Sequence, residues 1–89
     1  MKKKKKYLYI KAVYNSWIEK TIDNKTIYCY ECAIICNNDW IDNHTFKVYN
    51  YTQFMNEIKN FVLDSYRLTL KDVNTITVND ICLSNNKTL

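Results

Sequence analysis

Glycine and proline are both absent from the 89 residues, and arginine and histidine occur once each, as Arg67 and His44. Without glycine the chain can build neither a Walker-type phosphate loop nor a dinucleotide-binding fingerprint, because both need backbone positions free of a Cβ. An oxyanion loop of the usual kind is excluded for the same reason. The acidic residues are scattered singly, so no carboxylate pair suggests glycosidase or metal-dependent nuclease chemistry. No apolar run approaches the roughly 18 residues of a membrane helix. The basic start followed by Tyr7–Ile10 is interrupted by Lys11 and Asn15 before a signal-peptide core could form. These gaps lead to the expectation of a non-enzymatic, cytoplasmic protein with reduced thiols, no cofactor and no membrane partner.

Lys, Asn, Ile and Tyr supply 42 of the 89 residues, a bias that points to a very AT-rich gene. The formal charge of +4 rests on Lys2, Lys3, Lys4, Lys5 and Lys6; the remainder holds eight basic and nine acidic side chains. Basicity is thus a property of the arm, and the folded body is nearly neutral. A surface built to track phosphates would place its basic residues on the domain itself. Three segments follow: a disordered basic arm at 1–6, one domain at 7–84 and a frayed end at 85–89. Four Asn-x-Thr triplets, at Asn24, Asn43, Asn50 and Asn86, carry little meaning without secretion.

Within the body, Tyr7 to Ile22 alternates with the period of a strand, setting Leu8, Ile10, Ala12, Tyr14 and Ile18 on one face. Thr26 to Cys36 repeats the pattern, with Tyr28, Tyr30, Cys32, Ile34 and Cys36 together. Asp23-Asn24-Lys25 between them reads as a three-residue hairpin turn, which would place Ile18 opposite Tyr30 and Tyr14 opposite Ile34. Asn37-Asn38-Asp39 breaks the alternation, and Trp40 to Asn43 reads as a loop. His44 to Tyr51 then forms a third strand, with Phe46 and Val48 inward and Thr45, Lys47, Tyr49 and Tyr51 outward. From an N-cap at Thr52 the period becomes helical, with Phe54, Met55, Ile58, Phe61, Val62 and Tyr66 along one stripe. The helix ends near Tyr66 or Arg67, Thr69 and Asp72 suit a further capped turn, and Thr75 to Leu83 reads as a fourth strand. The expected fold is α+β: a three- to four-stranded, mainly antiparallel sheet in the order β-β-β-α-β, with one amphipathic helix packed on one face.

Cys29 and Cys32 form a Cys-x-x-Cys pair that Cys36, His44 or Cys82 could extend to a zinc site. Positions three apart in a strand point to opposite faces, however, so these cysteines read as buried thiols rather than ligands. A mid-strand cysteine also lacks the helix N-terminus that activates a thioredoxin-type thiol. His44 could pair with Cys36 or Cys82 as a nucleophile, but nothing nearby would orient the histidine, and a loop or edge histidine is the simpler reading.

Layer counting supplies the functional expectation. One helix covers one side of a sheet, so the other side should meet something other than water. That side carries aromatic residues, and Tyr7, Tyr9, Trp17, Tyr49 and Tyr51 are expected to anchor another protein, since Tyr and Trp dominate binding hot spots. The alternative is single-stranded nucleic acid, held by Lys2–Lys6 and stacked on the Tyr-x-Tyr pairs Tyr7/Tyr9, Tyr28/Tyr30 and Tyr49/Tyr51. A homodimer closed by the same face is a third reading. In size and composition the chain resembles the small accessory and inhibitor proteins of phages and mobile elements, anti-CRISPR proteins among them. That likeness implies inhibition by protein binding and fixes no residue.

Overall fold

A computed structural model describes residues 5–83. The expected states of Lys2–Lys4 and of residues 84–89 lie outside them. The described chain runs β1 (Lys6–Lys20), β2 (Thr26–Cys36), β3 (Asp39–Val48), α1 (Tyr51–Tyr66), a 3-10 turn (Leu70–Asp72) and β4 (Val73–Cys82). The strands form one sheet in the order β3-β2-β1-β4, and α1 packs on one face of it. The α+β class and the β-β-β-α-β order are as expected, but the sheet is mixed. The β1–β2 and β2–β3 pairs are antiparallel, whereas β4 lies parallel to β1. The cause is the crossover: α1 carries the chain over the sheet, so β4 re-enters in the direction of β3 and β1. Lys6 is already the first residue of β1, which trims the arm by one position.

The alternating residues of β1 and β2 form the core with the helix stripe. Leu8, Ile10, Ala12 and Tyr14 are buried beside Cys32, Ile34 and Cys36, and all pack under Phe54, Ile58, Val62 and Leu63. Each such aliphatic or aromatic side chain contributes about 1.5–3 kcal/mol on burial. Phe54 lies flat on Tyr30, with ring centroids 3.7 Å apart, and meets Tyr14 edge-on at 5.4 Å. Ile18 and Tyr28, assigned to the same face, stay exposed because the first hairpin runs on past the N-terminal end of α1.

Turn chemistry corrects three further expectations. The first hairpin closes at Thr21 and Lys25: Thr21 N–H donates to the Lys25 carbonyl at 2.9 Å and Asn24 N–H to the Thr21 carbonyl at 2.9 Å. Its three-residue loop is therefore Ile22-Asp23-Asn24, one position earlier than expected, with Asn24 at φ 65°. Moving the loop by one position slides the register by two, so Ile18 faces Tyr28 and Tyr14 faces Cys32, with every face kept. In the second hairpin Asn37 (φ 51°) and Asn38 (φ 72°) alone make the turn. Two successive left-handed residues are what a type I′ hairpin requires, and asparagine is the available residue that accepts them. Residues Trp40 to Asn43 consequently belong to β3 and not to a loop. Finally, Asn50 rather than Thr52 caps α1, its Oδ1 accepting the Gln53 N–H at 2.8 Å. Tyr51 thus opens the helix instead of closing the third strand. The helix ends at Arg67 in the left-handed region, where Leu68 N–H reaches the Leu63 carbonyl at 2.8 Å.

Candidate interaction face

The face opposite α1 is organised in cross-strand rows. Val13 sits between Ala33 on β2 and Ile81 on β4. Lys11 sits between Ile35 and Asn79, and Trp40 follows beyond Ile35. Tyr9 stands beside Thr77 and Tyr7 beside Thr75 at one end, while Trp17 adjoins Cys29 and then Lys47 toward the other. Val13, Ala33 and Ile35 are half-buried by their taller neighbours. Around this strip Tyr7, Tyr9, Trp17 and Trp40 remain 53%, 61%, 40% and 60% exposed.

Trp40 reaches this face through a bulge. Ile34 pairs with Asp42 but Ile35 pairs with Trp40, so Ile41 is an extra residue. Below the bulge the even positions Phe46 and Val48 point into the core; above it the parity inverts and Trp40 joins the open side. Periodicity alone conceals this residue. The signal that reveals it is Asn37-Asn38, which marks a two-residue turn and so starts β3 at Asp39.

Three of the four exposed aromatics have their polar atom held by a neighbour. Trp17 Nε1–H donates to Glu19 Oε2 at 2.9 Å, and Trp40 Nε1–H donates to Asn43 Oδ1 at 3.2 Å. The Tyr7 hydroxyl accepts from Asn74 Nδ2 at 2.8 Å. Tyr9 is fixed through its backbone: its N–H donates to Asn37 Oδ1 at 2.8 Å and its carbonyl accepts from Asn37 N–H at 2.9 Å. Side chains and backbone held in this way lose little freedom on binding, which lowers the cost of association. Tyr7, Tyr9, Lys11, Ile35, Thr77 and Asn79 also enclose an open hollow of about 480 Å³.

The electrostatics of the face are balanced. Lys47 pairs with Glu19 at 3.3 Å, and Lys11 and Glu31 stand one on each side of the apolar strip. Hydrogen bonds from Trp17 and Lys47 hold the Glu19 carboxyl below its usual range. Cys29, although on this side, is wholly buried between Trp17 and Lys47; burial and the Glu19 charge push its thiol up.

Of the five residues expected to act together, the structure unites Tyr7, Tyr9 and Trp17. Tyr49 and Tyr51 lie elsewhere: with Tyr28, Tyr30 and Asn50 they line a hollow of about 290 Å³ at the N-terminal end of α1. Tyr28 and Tyr30 are on the helix side, so the three Tyr-x-Tyr pairs do not make one platform. Lys5 and Lys6 are exposed.

The cysteines separate as strand geometry demands. Cys32 and Cys36 are buried under α1, Cys29 lies on the other face, and Cys82 is exposed. Among the described residues no group of three or more His, Cys, Asp or Glu is placed to hold a metal ion. His44 pairs across the strands with Cys32, not with Cys36 or Cys82, and its ring lies against Phe46 and Phe61 at 4.6 and 4.9 Å. Burial raises the Cys32 thiol to about 12, and its Sγ–H points to the Tyr30 carbonyl at 3.6 Å. A thiol in that state is a poor nucleophile. No described helix is long and apolar enough to cross a membrane.

No protein-family model matches the sequence, and neither a curated protein nor a solved structure shows significant similarity to it.

Proposed function

We propose that this chain is a non-enzymatic protein-binding module, an inhibitor or accessory protein that acts through the open face of its sheet. One observation carries the reading. Tyr7, Tyr9, Trp17 and Trp40 stand exposed around the Val13–Ala33–Ile35 strip on the side that α1 leaves uncovered. Aromatic anchors around an apolar centre, with the polar atoms of Tyr7, Trp17 and Trp40 already paired and little net charge, suit a protein surface. Phosphate-rich ligands fit less well: Glu19 and Glu31 offset the lysines of the face, and only one Tyr-x-Tyr pair lies on it.

The test is a capture from cells of the source organism, using the whole chain as bait and mass spectrometry as the readout. A cognate protein should be retained by the wild type and by Tyr49→Ala, and lost with Tyr9→Ala combined with Trp40→Ala. Retention should survive moderate salt and deletion of residues 1–6. The opposite pattern would replace this reading with the nucleic-acid one: binding of labelled oligonucleotides that falls steeply with salt and vanishes with the lysine arm.

A further inference from the structure

Nothing among the described residues guards the outer edge of β4. Among the described residues β3 and β4 are the end strands of the sheet, and they differ in their protection. The edge strand β3 carries Asp39, Asp42, His44 and Lys47 and is kinked by the Ile41 bulge. Charges and bulges of this kind are how natural sheets prevent edge-to-edge pairing. From Thr75 to Cys82 the paired run of β4 is unbroken and has one charged side chain, Asp80. The Leu83 N–H donates to the Tyr14 carbonyl, so by strand alternation the amides of Ile76, Val78 and Asp80 point away from β1. On the helix side of the same stretch, Ile76 and Val78 are only half-buried at the margin of the core.

We propose that two copies of this chain pair antiparallel along β4, with Thr77 on the twofold axis, and join their sheets into one. This inference concerns the edge of the sheet and does not depend on the face reading above. Self-complementarity selects the second copy as the occupant. With Thr77 opposite its own counterpart, Ile76 of each copy meets Val78 of the other, and both pairs form at positions whose amides face outward. Ile76 and Val78 from the two copies then close over one another beside the core. Thr75 faces Asn79 of the second copy on the open side, and the pairing ends there, because Asn74 is bulged and turns its amide to the Tyr7 hydroxyl. Neighbouring registers are worse. Sliding two residues one way sets Val78 against the Asn74 bulge and runs Asp80 onto the capped 3-10 turn at Asp72, and sliding the other way sets Asp80 against Ile76. A bulge or a turn breaks the ladder, and a carboxylate facing an apolar chain is destabilising. The pairing places the two aromatic faces side by side on one surface.

Light scattering and sedimentation of the full chain should report a dimer that dissociates on dilution. Thr77→Lys and Thr77→Glu should each be monomeric, since each sets like charges on the axis, and an equimolar mixture of the two should recover the dimer. Val78→Pro, which removes an outward amide that faces no strand among the described residues, should also give monomers; circular dichroism checks that its fold is kept. A wild type that stays monomeric at millimolar concentration overturns the proposal. So does a dimer that persists in both Thr77 variants, or one dissolved instead by Tyr9→Ala with Trp40→Ala.

Discussion

Asn37 and Tyr9 are joined twice: the Asn37 N–H donates to the Tyr9 carbonyl at 2.9 Å, and the Tyr9 N–H donates to Asn37 Oδ1 at 2.8 Å. Asn37 Nδ2–H also reaches the Tyr7 carbonyl at 3.1 Å. The side chain continues the β1–β2 ladder after β2 has turned away, and so holds the strand end that carries Tyr7 and Tyr9. Sequence, turn and candidate face meet in this one residue.

The two turn asparagines should therefore respond differently to the same substitution. Both have positive φ, which glycine adopts at less cost. Asn38→Gly should leave thermal stability unchanged or slightly raised. Asn37→Gly keeps the turn but deletes two side-chain hydrogen bonds, and should lower stability by about 1–2 kcal/mol. Urea melts of the two variants decide the matter. Equal effects would mean that the amide clasp contributes nothing.

Trp17 is expected to guard a thiol. It adjoins Cys29, whose exposure is zero although it lies on the uncovered face. In the native protein a maleimide should label Cys82 rapidly and leave Cys29, Cys32 and Cys36 slow. Trp17→Ala should make Cys29 fast while Cys32 and Cys36, beneath α1, stay protected. Peptide mapping of the labelled sites reads this directly. Unchanged protection of Cys29 would show that Lys47 and Glu19 suffice to cover it.

Core and face should separate cleanly in stability. Phe54→Ala removes a ring stacked on Tyr30 and touching Tyr14, and should cost about 3–5 kcal/mol. Tyr9→Ala and Trp40→Ala, on exposed positions, should each cost less than about 1 kcal/mol. Chemical denaturation of the three variants checks the assignment. A large loss from either face variant would make that residue part of the fold.

What could be read beforehand follows from what a hydrophobic pattern encodes. Leu8, Ile10, Ala12 and Tyr14 alternate, and Phe54, Ile58 and Val62 repeat near the helical period, so the core face of each element was legible. Register was not, because a slip of two residues preserves every face and leaves the pattern silent. Direction was not, because β4 would show the same alternation beside β1 in either sense. The bulge at Ile41 inverts parity within a single strand, which hid Trp40 in an apparent loop. Tyr49 and Tyr51 were misplaced for a related reason: Tyr51 continues a period of two from β3, and it also stands three residues before Phe54, as a helix permits. Asn50 as cap decided between them.

Alkaline pH should destabilise this protein. Burial, and then the Asp80 carboxylate that accepts from the Tyr14 hydroxyl at 3.2 Å, push the Tyr14 phenol well above its ordinary value. Burial is also the leading cause that raises Tyr30, Tyr51 and Tyr66 and the thiols of Cys29, Cys32 and Cys36. Where the folded value exceeds the unfolded one, the folded state holds its proton longer. The resulting stability is complete below the unfolded value and is lost as pH rises past it. With ordinary thiols near 8.5 and phenols near 10, the decline should begin at about pH 9 and steepen above about pH 10. Urea midpoints measured across that range, alongside phenolate absorbance, should fall together. Tyr14→Phe should shallow the decline while costing some stability at neutral pH through loss of the Asp80 contact. A midpoint constant up to about pH 11 would show that these phenols and thiols ionise as readily in the folded chain as in the unfolded one.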